Sequence, residues 1–211
     1  MVVKPRSNDK MSGYQEIVQQ LDKLPRWQLI VFSAACADRV APVFRALASP
    51  SSVVVFSDIL ERLWISAIDG APLRVSKKLR RLPEARAEDS KFPEYYAMQA
   101  LSILNDGVDA IESDALAGAR SACEGALNLI ASLDWRLNRH GEYRIVDPRH
   151  PPPPGPLETQ ELQSQNQTLA QLASAHEVDP TIVRTIRLHS TQQHDRIASA
   201  VQQVARAAGW L

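Results

Sequence analysis

Arg26-Trp27-Gln28-Leu29-Ile30-Val31-Phe32-Ser33-Ala34-Ala35-Cys36-Ala37-Asp38-Arg39 is the stretch on which the fold turns. At helical spacing Trp27, Leu29 to Phe32 and the small residues 34–37 leave almost no polar face, and a helix apolar nearly all round belongs in the middle of a bundle. Pro25 suits the first turn, where proline has no N–H to lose. The helix is expected over about Arg26 to Leu47. Pro42 inside it is expected to bend or break it, because the ring removes one backbone bond and presses on the preceding turn. Gln28 and Ser33 interrupt the apolar run, and Asp38 and Arg39 stop it, well short of the roughly 20 residues that cross a bilayer.

On the N-terminal side, Ile17, Val18, Leu21 and Leu24 fall three or four apart and predict a short amphipathic helix from Tyr14. Residues 1–12 lack periodicity and read as a flexible arm. On the other side, Ser51 or Ser52 can cap a third helix with a stripe of Val54, Val55, Ile59, Leu60, Leu63, Trp64 and Ala67. Its opening Val53 to Phe56 also suits a strand, but the later spacing decides for helix. A fourth, shorter helix is expected over about Ala71 to Leu82, ended by Pro83. Pro93 starts a fifth, with Ala97, Leu101, Leu104, Val108 and Ile111 in register. A sixth, about Asp114 to Leu137, carries Leu116, Ala119, Cys123, Leu127, Ile130 and Leu133.

Asp147 to Gly155 contains four consecutive prolines and reads as a polyproline spacer. Beyond it lies a glutamine-rich helix, Pro156 to Ala173, whose apolar side is only Leu157, Leu162, Leu169 and Leu172. Asp179-Pro180 opens the last helical region, with Val183, Ile186, Ile197, Val201 and Val204 in register. Its polar centre, His189 to Asp195, either breaks the helix or faces water. No fixed-period repeat and no hairpin-bounded strands occur. The fold predicted is all-α: an arm at 1–12, a compact multi-helix bundle core at 13–143, a proline-rich spacer at 144–156, and a C-terminal helical hairpin at 157–211 packing on the core.

Composition narrows the function. The 211 residues hold 24 basic and 24 acidic side chains, so no global charge calls for nucleic acid. Eight glycines, nowhere clustered, provide no phosphate-cradling loop. Lys4, Arg6 and Lys10 precede no apolar stretch, so a secretion signal is not expected. Cys36 and Cys123 lie in apolar helical patterns and read as buried thiols, without a disulfide. A soluble cytoplasmic protein is expected, with no membrane partner.

The clearest charge feature is Arg74, Lys77, Lys78, Arg80, Arg81 and Arg86, with Glu84 the one acid among them. Residues 1–90 hold 14 basic and 10 acidic groups, whereas 91–147 hold 5 and 9, so the two excesses answer each other. Asp106 and Asp109 project opposite Leu104, with Glu112 at the flank, and this acidic face is expected on the solvent side. Arg74, Lys77, Lys78, Arg80, Arg81, Asp106 and Asp109 form the candidate interaction surface. The basic segment suits a solvated helix face first, a protein contact second and nucleic acid last, because it lacks interleaved aromatics.

Catalytic and metal-binding patterns are missing. Bundle metal sites use Glu-x-x-His pairs, which this sequence lacks. His189 and His194 stand about 140° apart around a helix, and His140, His150 and His176 form no ligand spacing. Cys36 sits in the most apolar helix, and no strand-turn-helix elbow presents a nucleophile. No catalytic, cofactor-binding or metal-binding residue is therefore assigned. Trp27, Trp64 and Trp135 read as packing residues, and Trp210 as an exposed contact.

Trp27-Gln28-Leu29 with Ser33 to Arg39 resembles the YjaG-like family of bacterial helical proteins, a family of unknown function. Ile59 to Trp64, Phe92 with Tyr95 or Tyr96 and Ala100, and Pro156-Leu157 with Glu161, Leu162 and Gln165 extend the likeness over about three quarters of the chain. The basic fourth helix and the proline run depart from the family pattern. The resemblance implies an all-helical cytoplasmic fold and transfers no catalytic residue. Three functions are expected, in this order. The first is a non-enzymatic protein-interaction module, binding a partner or itself, one version being a toxin-neutralising immunity protein. The second is an enzyme or ligand binder with an inter-helix pocket. The third is a nucleic-acid binder using the basic segment.

Overall fold

The computed structural model describes residues 8–139 and 153–210, with side chains from residue 13 onward except Arg139. The described residues are all-α, as the periodicity predicts, and contain no strand. In chain order they are α1 (Asn8–Leu21), α2 (Arg26–Leu47), α3 (Pro50–Asp69), α4 (Ser76–Leu79), a 3-10 turn at Pro83–Arg86, α5 (Pro93–Glu112), α6 (Ala115–Arg139), α7 (Pro156–Ala173), α8 (Pro180–Thr191) and α9 (His194–Ala207). No described helix is long and apolar enough to cross a membrane.

Every residue of α2 from Gln28 to Phe44 is buried. The helix is the axis of the bundle, packed against α3 and α5 through α9. Trp27 itself is only half-buried at its edge. Of the two effects expected of Pro42, a break does not occur: the helix runs on through it to Leu47. A proline at 42 deprives the Asp38 carbonyl of its usual i+4 donor. His194, at the start of α9, supplies a replacement: its Nε2 lies 2.8 Å from that carbonyl.

Small residues set how closely α5 and α6 approach. A Cβ on Gly118 of α6 would lie 2.6 Å from the Asp106 carbonyl and 2.7 Å from the Ala110 nitrogen, so the two backbones nearly touch. Gly155 is tied to α6 in another way. Asp134 accepts a hydrogen bond from the Glu158 amide at 2.8 Å, and a side chain at 155 would occupy the place of that carboxylate. Asp134 thereby satisfies an amide in the first turn of α7, which its own Gly155 cannot do.

Several boundaries differ from the sequence reading. Helix α1 begins at Asn8, inside the stretch read as an arm. Residues 1–7 and 140–152, the latter including most of the proline spacer expected at 144–156, lie outside the described residues. Ser49, not Ser51 or Ser52, caps α3, accepting from the Ser52 amide at 3.3 Å with Pro50 in the first turn. The helix expected over 71–82 is helical only at Ser76–Leu79. Leu73, Val75 and Leu79 are buried at spacings of two and four, which one helix face cannot provide. Of the two alternatives for residues 189–195, the helix breaks, between α8 and α9. Trp210 is not exposed: its ring lies 5.2 Å from that of Tyr96, and its Nε1 donates to the Lys91 carbonyl at 3.0 Å.

Candidate functional site

Helix α7 turns a polar face to the axis. Its Glu158, Glu161, Ser164, Gln165 and Thr168 are buried, opposite Gln28, Asp38 and Arg39 of α2. Arg39 and Glu161 are each 1% exposed and form a forked ion pair. Nε reaches the two carboxylate oxygens at 3.1 and 2.9 Å, and Nη2 reaches Oε1 at 2.9 Å. Burial alone would lower the Arg39 pKa, but the Glu161 carboxylate more than reverses this and the guanidinium is held charged.

The seam extends to both cysteines. Arg39 Nη2 donates to Cys36 Sγ at 3.3 Å, and the Cys123 thiol donates to Gln165 Oε1 at 2.9 Å. Gln165 returns its amide to Glu161 at 2.9 Å and to the Cys123 carbonyl at 3.2 Å. Burial pushes the Cys36 thiol up to about 12 and raises that of Cys123 as well. Neither is a thiolate nucleophile near neutral pH. The remaining polar groups on α2 are also taken. Trp64 Nε1 donates to Asp38 at 3.1 Å, and the Gln28 amide donates to the Leu172 and Ala175 carbonyls at 2.8 Å each.

Above Arg39 lies a recess of about 170 Å³ between α7 and the α8–α9 turn. Ser164, Thr168, Gln171, His189, Ser190 and Gln193 line it, with Arg39 at the floor. His189 Nδ1 faces the amide nitrogens of Gln171 at 3.0 Å and Gln167 at 3.4 Å. Gln193 donates to the Ser164 hydroxyl. Thr168 and Ser190 spend their hydroxyl hydrogens on the carbonyls of Ser164 and Ile186, at 2.9 and 3.0 Å.

The residues singled out from sequence lie elsewhere. Arg74, Lys77, Lys78, Arg80 and Arg81 are all exposed. Lys78 pairs with Asp58 and Arg80 with Asp109, each at 3.7 Å, so the two opposing charge excesses meet at Arg80–Asp109. Arg74, Lys77 and Arg81 make no ion pair among the described residues. Arg74 and Lys77 border a shallow recess of about 630 Å³ with Leu73, Ile111 and Glu112.

Two carboxylates nearby are drawn inward. Glu84 is buried, accepting from the Ser49 amide at 3.0 Å and the Ser52 hydroxyl at 2.7 Å, which outweighs burial and lowers its pKa. The acidic face of α5 is not uniformly on the solvent side. Asp106 is half-buried, and burial together with the neighbouring Asp109 carboxylate raises its pKa to about 7. Glu112 is exposed, yet its carboxylate holds the Val75 amide at 2.6 Å and the Ser76 hydroxyl at 2.9 Å.

No group of three His, Cys, Asp or Glu side chains suited to a metal ion occurs among the described residues. His140 and His150 lie outside them, and His176 is exposed. The polar seam went unread in the sequence. Its signal was a charged pair, Asp38-Arg39, in mid-helix with apolar residues continuing to Phe44, matched by Glu161 and Gln165 one turn apart on a glutamine-rich helix.

The profile of the family described as "Protein of unknown function (DUF416)" matches residues 16–195. A comparison with curated proteins gives no match. Among solved structures, a DUF416 family protein from Shewanella baltica OS155 is similar over 83% of this chain and 93% of its own, with a TM-score of 0.66 and 18% identity. At that identity the likeness is one of fold.

Proposed function

We propose, from the premise that this chain belongs to the DUF416 family of proteins of unknown function, that it is a non-enzymatic module whose α4 face receives an acidic patch of a protein partner. The observation that carries this reading is the set of exposed cations Arg74, Lys77 and Arg81, which make no ion pair among the described residues, on a segment that is itself anchored. Buried Leu73, Val75 and Leu79 and the Glu112 carboxylate hold the backbone there, so the cations are presented without a backbone ordering cost at binding. Such a face favours carboxylates through charge complementarity and speeds encounter. A secreted toxin held in check by this protein is one partner of that kind, and a second copy of the chain is another. The buried free thiols accord with a reducing, cytoplasmic setting. We read the block from Trp27 to Arg39 as placing the chain beside the YjaG-like proteins within its family.

The test is capture from native lysate by the wild-type protein and by an Arg74→Glu/Lys77→Glu/Arg81→Glu variant, with folding checked by circular dichroism. The expected result is an acidic protein retained by the wild type, released as salt rises, and lost by the variant. Equal retention by both removes the proposal. Salt-dependent binding of duplex or single-stranded nucleic acid instead of protein reassigns the face.

A further inference from the structure

We propose that the outward face of α3 is an interface with a second copy of this chain, the two α3 helices packing antiparallel across a two-fold axis. The large apolar side chains exposed among the described residues are Val54, Ile65, Phe92, Val178 and Leu188. Two of them share α3, where Val54 is 69% and Ile65 46% exposed. They stand three turns from one another on one line of the helix, about 16 Å apart along its axis. Between them the same face carries Asp58, Glu61 and Arg62, all exposed. Asp58 is met by Lys78 of α4 at 3.7 Å on one flank, and Glu61 is held by a forked pair with Arg187 of α8 on the other. Arg62 makes no ion pair among the described residues.

The order apolar, acid, base, apolar along this face decides the occupant. When two copies run in opposite directions, Val54 of each meets Ile65 of the other, and the spare guanidinium of Arg62 meets Asp58 of the other. Every contact is then made twice, as a two-fold interface requires. Asp58 and Arg62 lie one turn apart on the same flank, and an axis running across the helices keeps that flank opposite its own copy. Parallel packing instead sets Asp58 level with Asp58 and Arg62 level with Arg62, so acid and base no longer meet. Glu61 of each copy arrives with its own Arg187, and no carboxylate enters unneutralised. A bilayer does not suit this face, because three charged side chains would enter it in the middle of the line. One helix face covers less than the about 800 Å² per partner of a standard interface, so the dimer is weak and forms as concentration rises.

Sedimentation equilibrium of the full chain over a concentration series tests this. The wild type is expected to pass from monomer toward dimer by on the order of 1 mM. Arg62→Asp sets like charges opposite Asp58 and should weaken the dimer at least about tenfold, and Asp58→Arg combined with Arg62→Asp should restore it, because the exchanged pair meets again. Both side chains are exposed, and circular dichroism verifies that the variants fold. Val54→Lys, a second probe that takes nothing from the core, should weaken association as well. The Arg74→Glu/Lys77→Glu/Arg81→Glu variant leaves this face intact and should dimerise as the wild type does, which separates the α3 interface from the α4 face. A wild type that stays monomeric, a dimer indifferent to Arg62→Asp or Val54→Lys, or one lost with the α4 cations overturns the proposal. Loss in Arg62→Asp without recovery in the exchanged pair overturns the antiparallel arrangement.

Discussion

His194 donates a hydrogen bond to the main-chain carbonyl of Asp38, the acceptor that Pro42 leaves without its helical partner. A side chain from α9 thus repairs the central helix, and the same imidazole nitrogen lies 3.3 Å from the Asp38 carboxylate. His194→Ala orphans a buried carbonyl and should cost about 1–3 kcal/mol in urea unfolding. In a Pro42→Ala background the residue at 42 supplies its own N–H, so the cost of losing His194 should shrink. Equal costs in both backgrounds would show that the two residues are not coupled.

Breaking the Arg39–Glu161 pair leaves a charge in the interior. Glu161→Ala or Arg39→Ala should each lower stability by about 3–5 kcal/mol, whereas Arg39→Met with Glu161→Leu should recover much of the loss. Chemical denaturation of the four proteins checks this. A double variant as unstable as the singles would mean that the geometry of the seam, rather than its charge balance, sets the cost.

Asp106 gives the protein a pH signature of unusual sign for a carboxylate. Its pKa rises from 3.8 to about 7 on folding, so the folded state binds the proton more tightly than the unfolded chain. The stabilisation is complete below pH 3.8, drains away as pH rises toward 7, and is absent above. Asp106→Asn should therefore gain on the wild type across that interval and be more stable at pH 8 by on the order of 1–2 kcal/mol after solvent screening. Thermal unfolding of both proteins at pH 4 and pH 8 checks it, and a difference independent of pH counts against the assignment.

Gly118 marks the closest approach of α5 and α6. Gly118→Ala places a methyl group under 3 Å from main-chain atoms of the facing helix, which cannot swing aside as a side chain can. A loss of about 1–3 kcal/mol is expected, despite the usual gain in helix propensity. Gly125→Ala on the same helix meets a side-chain atom, Ile103 Cγ1 at 2.9 Å, and no backbone, so it should cost less, a ranking that urea midpoints will show.

The helices were legible wherever apolar residues recur at helical spacing. Arg26 to Leu47 and Pro156 to Ala173 run as the periodicity and their bounding prolines indicate. Reading failed where long-range contacts override local pattern. Residues 71–82 look helical by composition, but the core draws in Leu73, Val75 and Leu79 and the Glu112 carboxylate seizes the Val75 amide, so only one turn forms. The recess was harder still to foresee. It joins Arg39 to residues of α7 and α8 more than a hundred positions away, and a glutamine-rich stretch looks the same whether it lines a hollow or faces solvent. The exposed cations were legible because a charge run needs no tertiary partner to be recognised.

The seventeen consecutive buried residues of α2 carry a penalty during synthesis. They leave the ribosome before α5, α6 or α9 has been translated, so until those helices emerge only α3 is there to cover part of this wholly buried segment. Domains in that position are open to aggregation until their late-made parts arrive. A nascent chain halted before His194 would leave the side of α2 that α9 covers open and the Asp38 carbonyl uncapped, the kind of surface that holdase chaperones grip, and release would await the last helix.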